Sequence, residues 1–234
     1  MSNHHILQIE TATQVCSVAL STDGKTMAFR DVNTPNIHAS HLTVLIGEVL
    51  QEAGLAFEDL VAVAVSKGPG SYTGLRIGVS TAKGLCYATG LPLIGIGTLA
   101  GMADGFKNHY PDIWEGHAFL CPMIDARRME VYMTVYDQVM QPVKPVSATV
   151  IDAHSFDALK ADQRIVLFGS GADKLKALFA DSDQVTVFPG FLNSARFMSR
   201  QAHEAFLAGD FVDVAYFEPY YLKDFVATTA SPSV

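Results

Sequence analysis

Three groups of side chains in this 234-residue chain have types and spacings suited to chemistry. The first is Gly68-Pro69-Gly70-Ser71-Tyr72-Thr73-Gly74-Leu75-Arg76-Ile77-Gly78, a glycine-rich turn between an apolar run and a helical pattern. Ser71 is placed to cap that helix, and the free N–H groups beyond it could hold an anion or phosphate. A Walker loop needs Gly-Lys-Ser/Thr, however, and here Gly74 and Leu75 follow Thr73. A structural turn is therefore the stronger reading. The second group is Glu10 and Asp125, each ending an apolar strand at a hairpin. Carboxylates so placed could face magnesium and nucleotide phosphates. Yet the hairpins read Thr11-Ala12-Thr13-Gln14 and Ala126-Arg127-Arg128-Met129, without the glycines that let a backbone close on phosphate. Each carboxylate is read as the anchor of its own hairpin. The third group is histidine: His38 and His41 lie one helical turn apart, and His4 and His5 are adjacent in what reads as a frayed terminus. No carboxylate or cysteine stands at helical spacing to complete a ligand set, so no metal site is expected. There is no HExxH and no Ser-His-Asp order, so no catalytic residue is assigned.

The elements that must position these groups come in two rounds. Ile6–Ile9, Val15–Leu20 and Thr26–Arg30 read as strands, with Asp23-Gly24 as a hairpin turn. Ile37–Ala53 has helical spacing, with Leu42, Leu45, Ile46, Val49 and Leu50 in one stripe and Gly54 as the stop. Val61–Val65 reads as a strand covered on both faces. A helix Tyr72–Ala88 and a strand Leu93–Ile96 follow. The second round gives strands Phe119–Asp125, Glu130–Tyr136 and Ala148–Ile151, a helix Ser155–Ala161 and a strand Ile165–Phe168 ending in Gly169-Ser170-Gly171. A helix Ala172–Phe179, a strand Val185–Phe188 and a final helix Ala195–Leu207 complete it. In both rounds an acidic residue closes the first strand and apolar residues alternate along the returning one: Cys16, Val18, Leu20, then Val131, Met133, Val135. The expected fold class is α/β: a duplicated actin-like, ribonuclease-H-like (ASKHA) architecture of two lobes, each a mixed sheet flanked by helices. The lobes are expected at 1–106 and 107–234, joined near 104–110, with the final helix free to pack back on the first.

Composition narrows the function. Only 17% of residues are charged and 49% are hydrophobic, which favours apolar surface reserved for a partner. Sixteen basic against 24 acidic residues leave a net charge of -8 and no basic footprint, so a stand-alone grip on nucleic acid is not expected. Cys16, Cys86 and Cys121 are far apart and read as core residues in a reducing cytoplasm. No signal peptide is read at the N-terminus. Gly84–Ala103 is uncharged, but Gly90-Leu91-Pro92 and three later glycines break it into helix end, turn, strand and helix rather than a membrane span. Gly74, Gly78 and Ala82 repeat every fourth residue. Glycine inside a helix costs about 0.8–1 kcal/mol relative to alanine, so this face predicts close approach by another helix, with a partner's favoured.

Four stretches together carry a family resemblance. Ile9-Glu10-Thr11-Ala12-Thr13 with Cys16-Ser17-Val18-Ala19-Leu20, the Gly68–Gly78 motif, Ile124-Asp125-Ala126-Arg127-Arg128 with Glu130-Val131-Tyr132, and Glu218-Pro219-Tyr220-Tyr221-Leu222-Lys223 resemble the TsaB (YeaZ) family. The resemblance implies a non-catalytic subunit needed for threonylcarbamoyl transfer to adenosine of ANN-decoding transfer RNAs. It implies heterodimer formation with the catalytic paralogue TsaD, the ATPase TsaE in a larger complex, a homodimer when alone, and transfer RNA contact only through the complex. ATP and metal are expected on TsaD and TsaE, with no cofactor on this chain. The implied TsaD contact uses helices 38–53 and 72–88, with His38, His41, Leu42, Leu45, Gly74, Ile77, Gly78, Thr81 and Ala82 as its residues. Gly68, Pro69, Gly70, Ser71, Thr73, Arg76, Asp125, Arg127 and Glu130 are the family-motif positions. Glu10 stands where the family commonly has aspartate, Tyr72 where it has phenylalanine, and Met129 where it has glycine. The last suggests that the hairpin at Arg128 needs no positive φ. The competing reading is a stand-alone ATP-binding kinase-like enzyme or an M22-type peptidase.

Overall fold

The structure, a computed structural model, describes residues 3–114, 118–159 and 163–223. Its first half contains β1 (His5–Glu10), β2 (Val15–Thr22), β3 (Lys25–Asn33), α1 (His38–Ala53), β4 (Leu60–Gly68), α2 (Tyr72–Thr89) and β5 (Leu93–Gly97). Next come α3 (Thr98–His109), a single turn α4 (Pro111–Trp114), β6 (Ala118–Asp125), β7 (Glu130–Tyr136), β8 (Pro142–Val150), β9 (Arg164–Phe168), β10 (Val185–Phe188) and α5 (Ser199–Ala208). The first sheet runs β3-β2-β1-β4-β5 and the second β8-β7-β6-β9-β10. In each, the first three strands are antiparallel neighbours and the last two add in parallel. The duplication is thus complete at the level of strand order and direction.

Alternation along β4 explains why it can be central. Val63 and Val65 join the cluster under α1 and α2, whereas Ala62 and Ala64 face the other way, toward Ala195, Met198 and Ala202. The C-terminal segment therefore covers the back of the first sheet. In exchange, Leu99, Met102, Ala103 and Phe106 of α3 pack with Leu120, Ile124, Val166 and Phe168 of the second sheet. Glycine permits this crossing at Gly105, where an added Cβ would lie 2.2 Å from the Phe197 ring.

Four local expectations change. Ser155–Leu159 is a series of turns rather than a helix, and Lys160 and Ala161 lie outside the described residues. Asp152 explains the turns: its Oδ1 accepts from His154 N at 2.9 Å and from Ser155 Oγ at 2.9 Å, side-chain bonds that compete with a helical ladder. Ala172–Phe179 is helical only at Asp173–Leu175, a 3-10 turn followed by further turns. The last helix begins as a 3-10 turn at Ala195–Met198, capped by Ser194. The eighth strand starts at Pro142, six residues before the expected Ala148, and ends at Val150.

Candidate functional site

The two hairpins, the start of α1, the start of α2 and the C-terminal stretch Tyr220–Lys223 enclose a cleft of about 820 Å³. This is where a duplicated actin-like fold would offer acidic residues to a nucleotide.

On the first hairpin, Glu10 is only 1% exposed. Its Oε1 accepts from Ala12 N at 2.6 Å and from Ser66 Oγ at 3.0 Å, so the carboxyl turns back into its own loop. Burial pushes its pKa from 4.5 up to about 7, against the opposing effect of those hydrogen bonds. On the second hairpin, Asp125 is exposed and borders the cleft. Its Oδ1 accepts from Arg127 N at 3.0 Å and from the Lys174 ammonium, which also donates to Glu130 O at 2.7 Å. Glu130 in turn pairs with Lys223. Both carboxylates anchor their hairpins, as their sequence positions suggested.

The second hairpin differs from expectation in its backbone. Arg127 and Arg128 both take positive φ, 76° and 50°, although Met129 replaces the family's usual glycine. Both residues sit in a hydrogen-bonded turn, with Arg127 N donating to Asp125 Oδ1 and Glu130 N donating to Arg127 O at 3.1 Å.

Ser71 caps α2, accepting from Gly74 N at 3.2 Å. Its own N–H donates to Ala12 O at 2.7 Å, so the chain itself occupies part of the helix terminus. The motif's glycines explain how the backbones come so close. An added Cβ would lie 2.4 Å from Ala12 O at Gly70, 2.1 Å from Thr11 O at Gly74, 2.2 Å from Thr11 Oγ1 at Gly78, and 2.6 Å from Tyr220 O at Gly68. The small-residue face of α2 is thus closed by the β1–β2 hairpin of the same chain. This corrects the expectation that Gly74 and Gly78 admit a foreign helix. The Gly68–Pro69 peptide is cis. Arg76 donates to Tyr72 Oη at 3.1 Å, and the Tyr72 ring packs on Tyr221 at 4.9 Å. Thr73 is exposed at the cleft.

Burial also sorts the nine expected interface residues. Leu42, Leu45 and Ala82 are core residues, and Gly74 and Gly78 are buried. His38 is 8% exposed and borders the cleft, and among the described residues its Nε2 has no hydrogen-bond partner. His41 is exposed, its Nδ1 2.8 Å from Ser40 Oγ, and Ile77 and Thr81 are partly exposed. The outward faces of α1 and α2 also carry residues outside the expected set. They include Val44, Gly47, Ser80, Gly84 and Tyr87, the last 89% exposed, with open space around both glycines among the described residues, and the exposed Glu48, Glu52 and Arg76 lie beside them. Their helical spacing was visible, but both faces of α2 are rich in small residues and only the fold says which is outside. A second omission is the meeting of His4, Asp23 and His203. His4 is not frayed: its N–H bonds Asp23 Oδ1 at 3.0 Å, and its ring packs on Phe206. The three cysteines are buried, and burial pushes Cys16 and Cys86 up to about 11 and Cys121 further still, so the thiols stay neutral. Among the described residues no helix is long and apolar enough to cross a membrane.

Two mixed sheets of identical order, each flanked by helices with a cleft between the hairpins, define a two-lobed α/β protein of the actin-like (ASKHA) class. A family model described as TsaD, tRNA N6-adenosine threonylcarbamoyltransferase, matches residues 34–155. The chain belongs to this family, within its TsaB/YeaZ group. It is 39% identical over 135 residues to the tRNA threonylcarbamoyladenosine biosynthesis protein TsaB of Escherichia coli, a match covering 57% of this chain and 55% of that protein. The chain thus spans about half the length of that relative. The TsaB of Bacillus subtilis is 29% identical over 225 residues, 93% of each chain. A solved Pseudomonas aeruginosa protein, described as similar to peptidase YEAZ, superposes with a TM-score of 0.81 at 26% identity, covering 94% of this chain and all of that one.

Proposed function

We propose that this chain is a non-catalytic subunit in threonylcarbamoyladenosine formation on transfer RNA, acting by binding and activating a TsaD-type catalytic partner together with TsaE. The single observation that carries the reading is the self-closed glycine motif. Ala12 O takes the Ser71 N–H and Thr11 fills the space beside Gly74 and Gly78, so the site that would cradle phosphate is packed by the chain's own hairpin. Glu10, buried and turned inward, adds to this. In this reading ATP and the catalytic metal belong to TsaD and TsaE, and transfer RNA is reached only through the complex. The partner surface is the outer face of α1 and α2, with Val44, Ile77, Thr81 and Tyr87 as contacts and the exposed Glu48, Glu52 and Arg76 beside them. The same face pairs two copies when the chain is alone, so homodimer and heterodimer compete.

The test is co-purification with TsaD, followed by a threonylcarbamoylation assay containing TsaE, ATP and transfer RNA, with calorimetry of ATP against the isolated chain. Expected are a TsaD complex, modification that requires this chain, and no tight ATP binding by the chain alone. Micromolar ATP binding abolished by Asp125→Ala would replace this reading with the kinase-like one, and peptide cleavage lost with Ser71→Ala would favour the peptidase.

A further inference from the structure

Three side chains distant in sequence meet at the edge of the first sheet. His4 precedes β1, Asp23 sits in the β2–β3 turn, and His203 lies on α5. His4 Nδ1 and His203 Nε2 are 3.3 Å apart, and Asp23 Oδ1 lies 3.7 Å from the first and 3.8 Å from the second. A tetrahedral ion with bonds of about 2.0–2.2 Å holds its ligand atoms roughly 3.3–3.6 Å apart. The three atoms therefore already outline one face of such a site. Their supports are equally specific. Asp23 Oδ1 is oriented by the His4 N–H, Asp23 N donates to His4 O at 3.1 Å, and the His4 ring is held against His203 and Phe206. The imidazoles are largely covered, at 27% and 19% side-chain exposure, while Asp23 at 49% leaves a side open for a fourth ligand from solvent.

We propose that His4, Asp23 and His203 form a zinc site, three protein ligands with solvent in the fourth position, that ties α5 to the first sheet. Two imidazoles and a carboxylate suit zinc, whereas magnesium and calcium prefer all-oxygen shells. The trio lies outside the cleft, so the site is independent of the TsaD reading. Its consequence is mechanical. Residues from both ends of the chain would share one ion, and an ion that binds only the folded form stabilises it.

The experiment uses the full, untagged chain, stripped with EDTA and titrated with zinc sulfate by calorimetry, with thermal melts in zinc and in magnesium. Wild type should bind one zinc and melt higher with zinc but not with magnesium. His203→Gln keeps the side chain's bulk and should melt like wild type in EDTA. It should lose more than about 100-fold in zinc affinity, beyond the 10–100-fold typical of losing an outer-shell partner, and Asp23→Asn should weaken binding in the same direction. His154→Ala, at an exposed histidine elsewhere, should bind like wild type. Absence of stoichiometric zinc binding, or unchanged affinity in His203→Gln, would overturn the proposal.

Discussion

Glu10 illustrates how a single buried group imposes a pH dependence on the whole fold. Its pKa rises from 4.5 in the open chain to about 7 in the native one, so the folded state holds the proton more tightly. The resulting stability is full below pH 4.5, declines as the unfolded chain ionises first, and is lost once pH passes about 7. At 1.36 kcal/mol per unit the total is on the order of 3 kcal/mol. Glu10→Gln is therefore expected to flatten the rise in denaturation midpoint on acidification and to match or exceed wild type above neutrality. A variant with the wild-type slope would assign that slope to another group. The motif glycines act at the same scale. Gly74→Ala drives a Cβ against Thr11 O at 2.1 Å, a backbone atom with no rotamer to yield. Overpacking of this kind costs roughly 1–3 kcal/mol, so a lowered melting temperature in circular dichroism is the expected outcome.

At the scale of the element, α2 separates two roles that its sequence superimposes. Gly74, Gly78 and Ala82 face inward, while Gly84 is exposed with nothing within 4 Å of an added Cβ. Gly84→Ala should raise stability by about 0.8–1 kcal/mol, the helix-propensity difference, read as a higher denaturation midpoint. Gly84→Arg should fold normally yet weaken TsaD association in size exclusion, because it puts a long charged side chain where the outer face now offers only a glycine. Gly78→Leu should instead destabilise the free chain, since the added side chain meets Thr11. If Gly84→Arg bound TsaD like wild type, the outer face of α2 would not be the contact.

Across the whole molecule, the two halves brace one another. The 3-10 turn at Ala195–Met198 and α5 cover the first sheet, and α3 covers the second. Arg200 on α5 joins them, bonding both oxygens of buried Asp104 on α3 at 2.6–3.2 Å. Such exchange predicts one cooperative unfolding transition. The sole tryptophan, Trp114, packs in the cluster of the second sheet, whereas far-ultraviolet dichroism reports on both sheets. The two signals should change together on heating. A tryptophan transition well separated from the dichroism would show the lobes to be independent.

Much of this architecture was legible locally. Strand alternation, the Asp23-Gly24 turn, the stops at Gly54 and Gly90, the Ser71 cap and the repeated hairpin carboxylates all depend on residues within a few positions of one another, where periodicity and backbone preference act directly. The sequence also determined that two sheets of like order would form and that Glu10 and Asp125 would close their hairpins. The second half was read less well after Val150, because the Asp152 side chain and the glycine turn at 169–171 compete with regular helix. Only the tertiary structure decided which face of α2 is buried, since Gly74, Gly78 and Gly84 look alike until Thr11 arrives beside two of them. It likewise decided the meeting of residues 4, 23 and 203, and the crossing of α3 to the second sheet, whereas the return of the final helix to the first lobe was already expected. Those outcomes depend on contacts between segments far apart along the chain, and local periodicity carries no information about which distant surface will cover a given face.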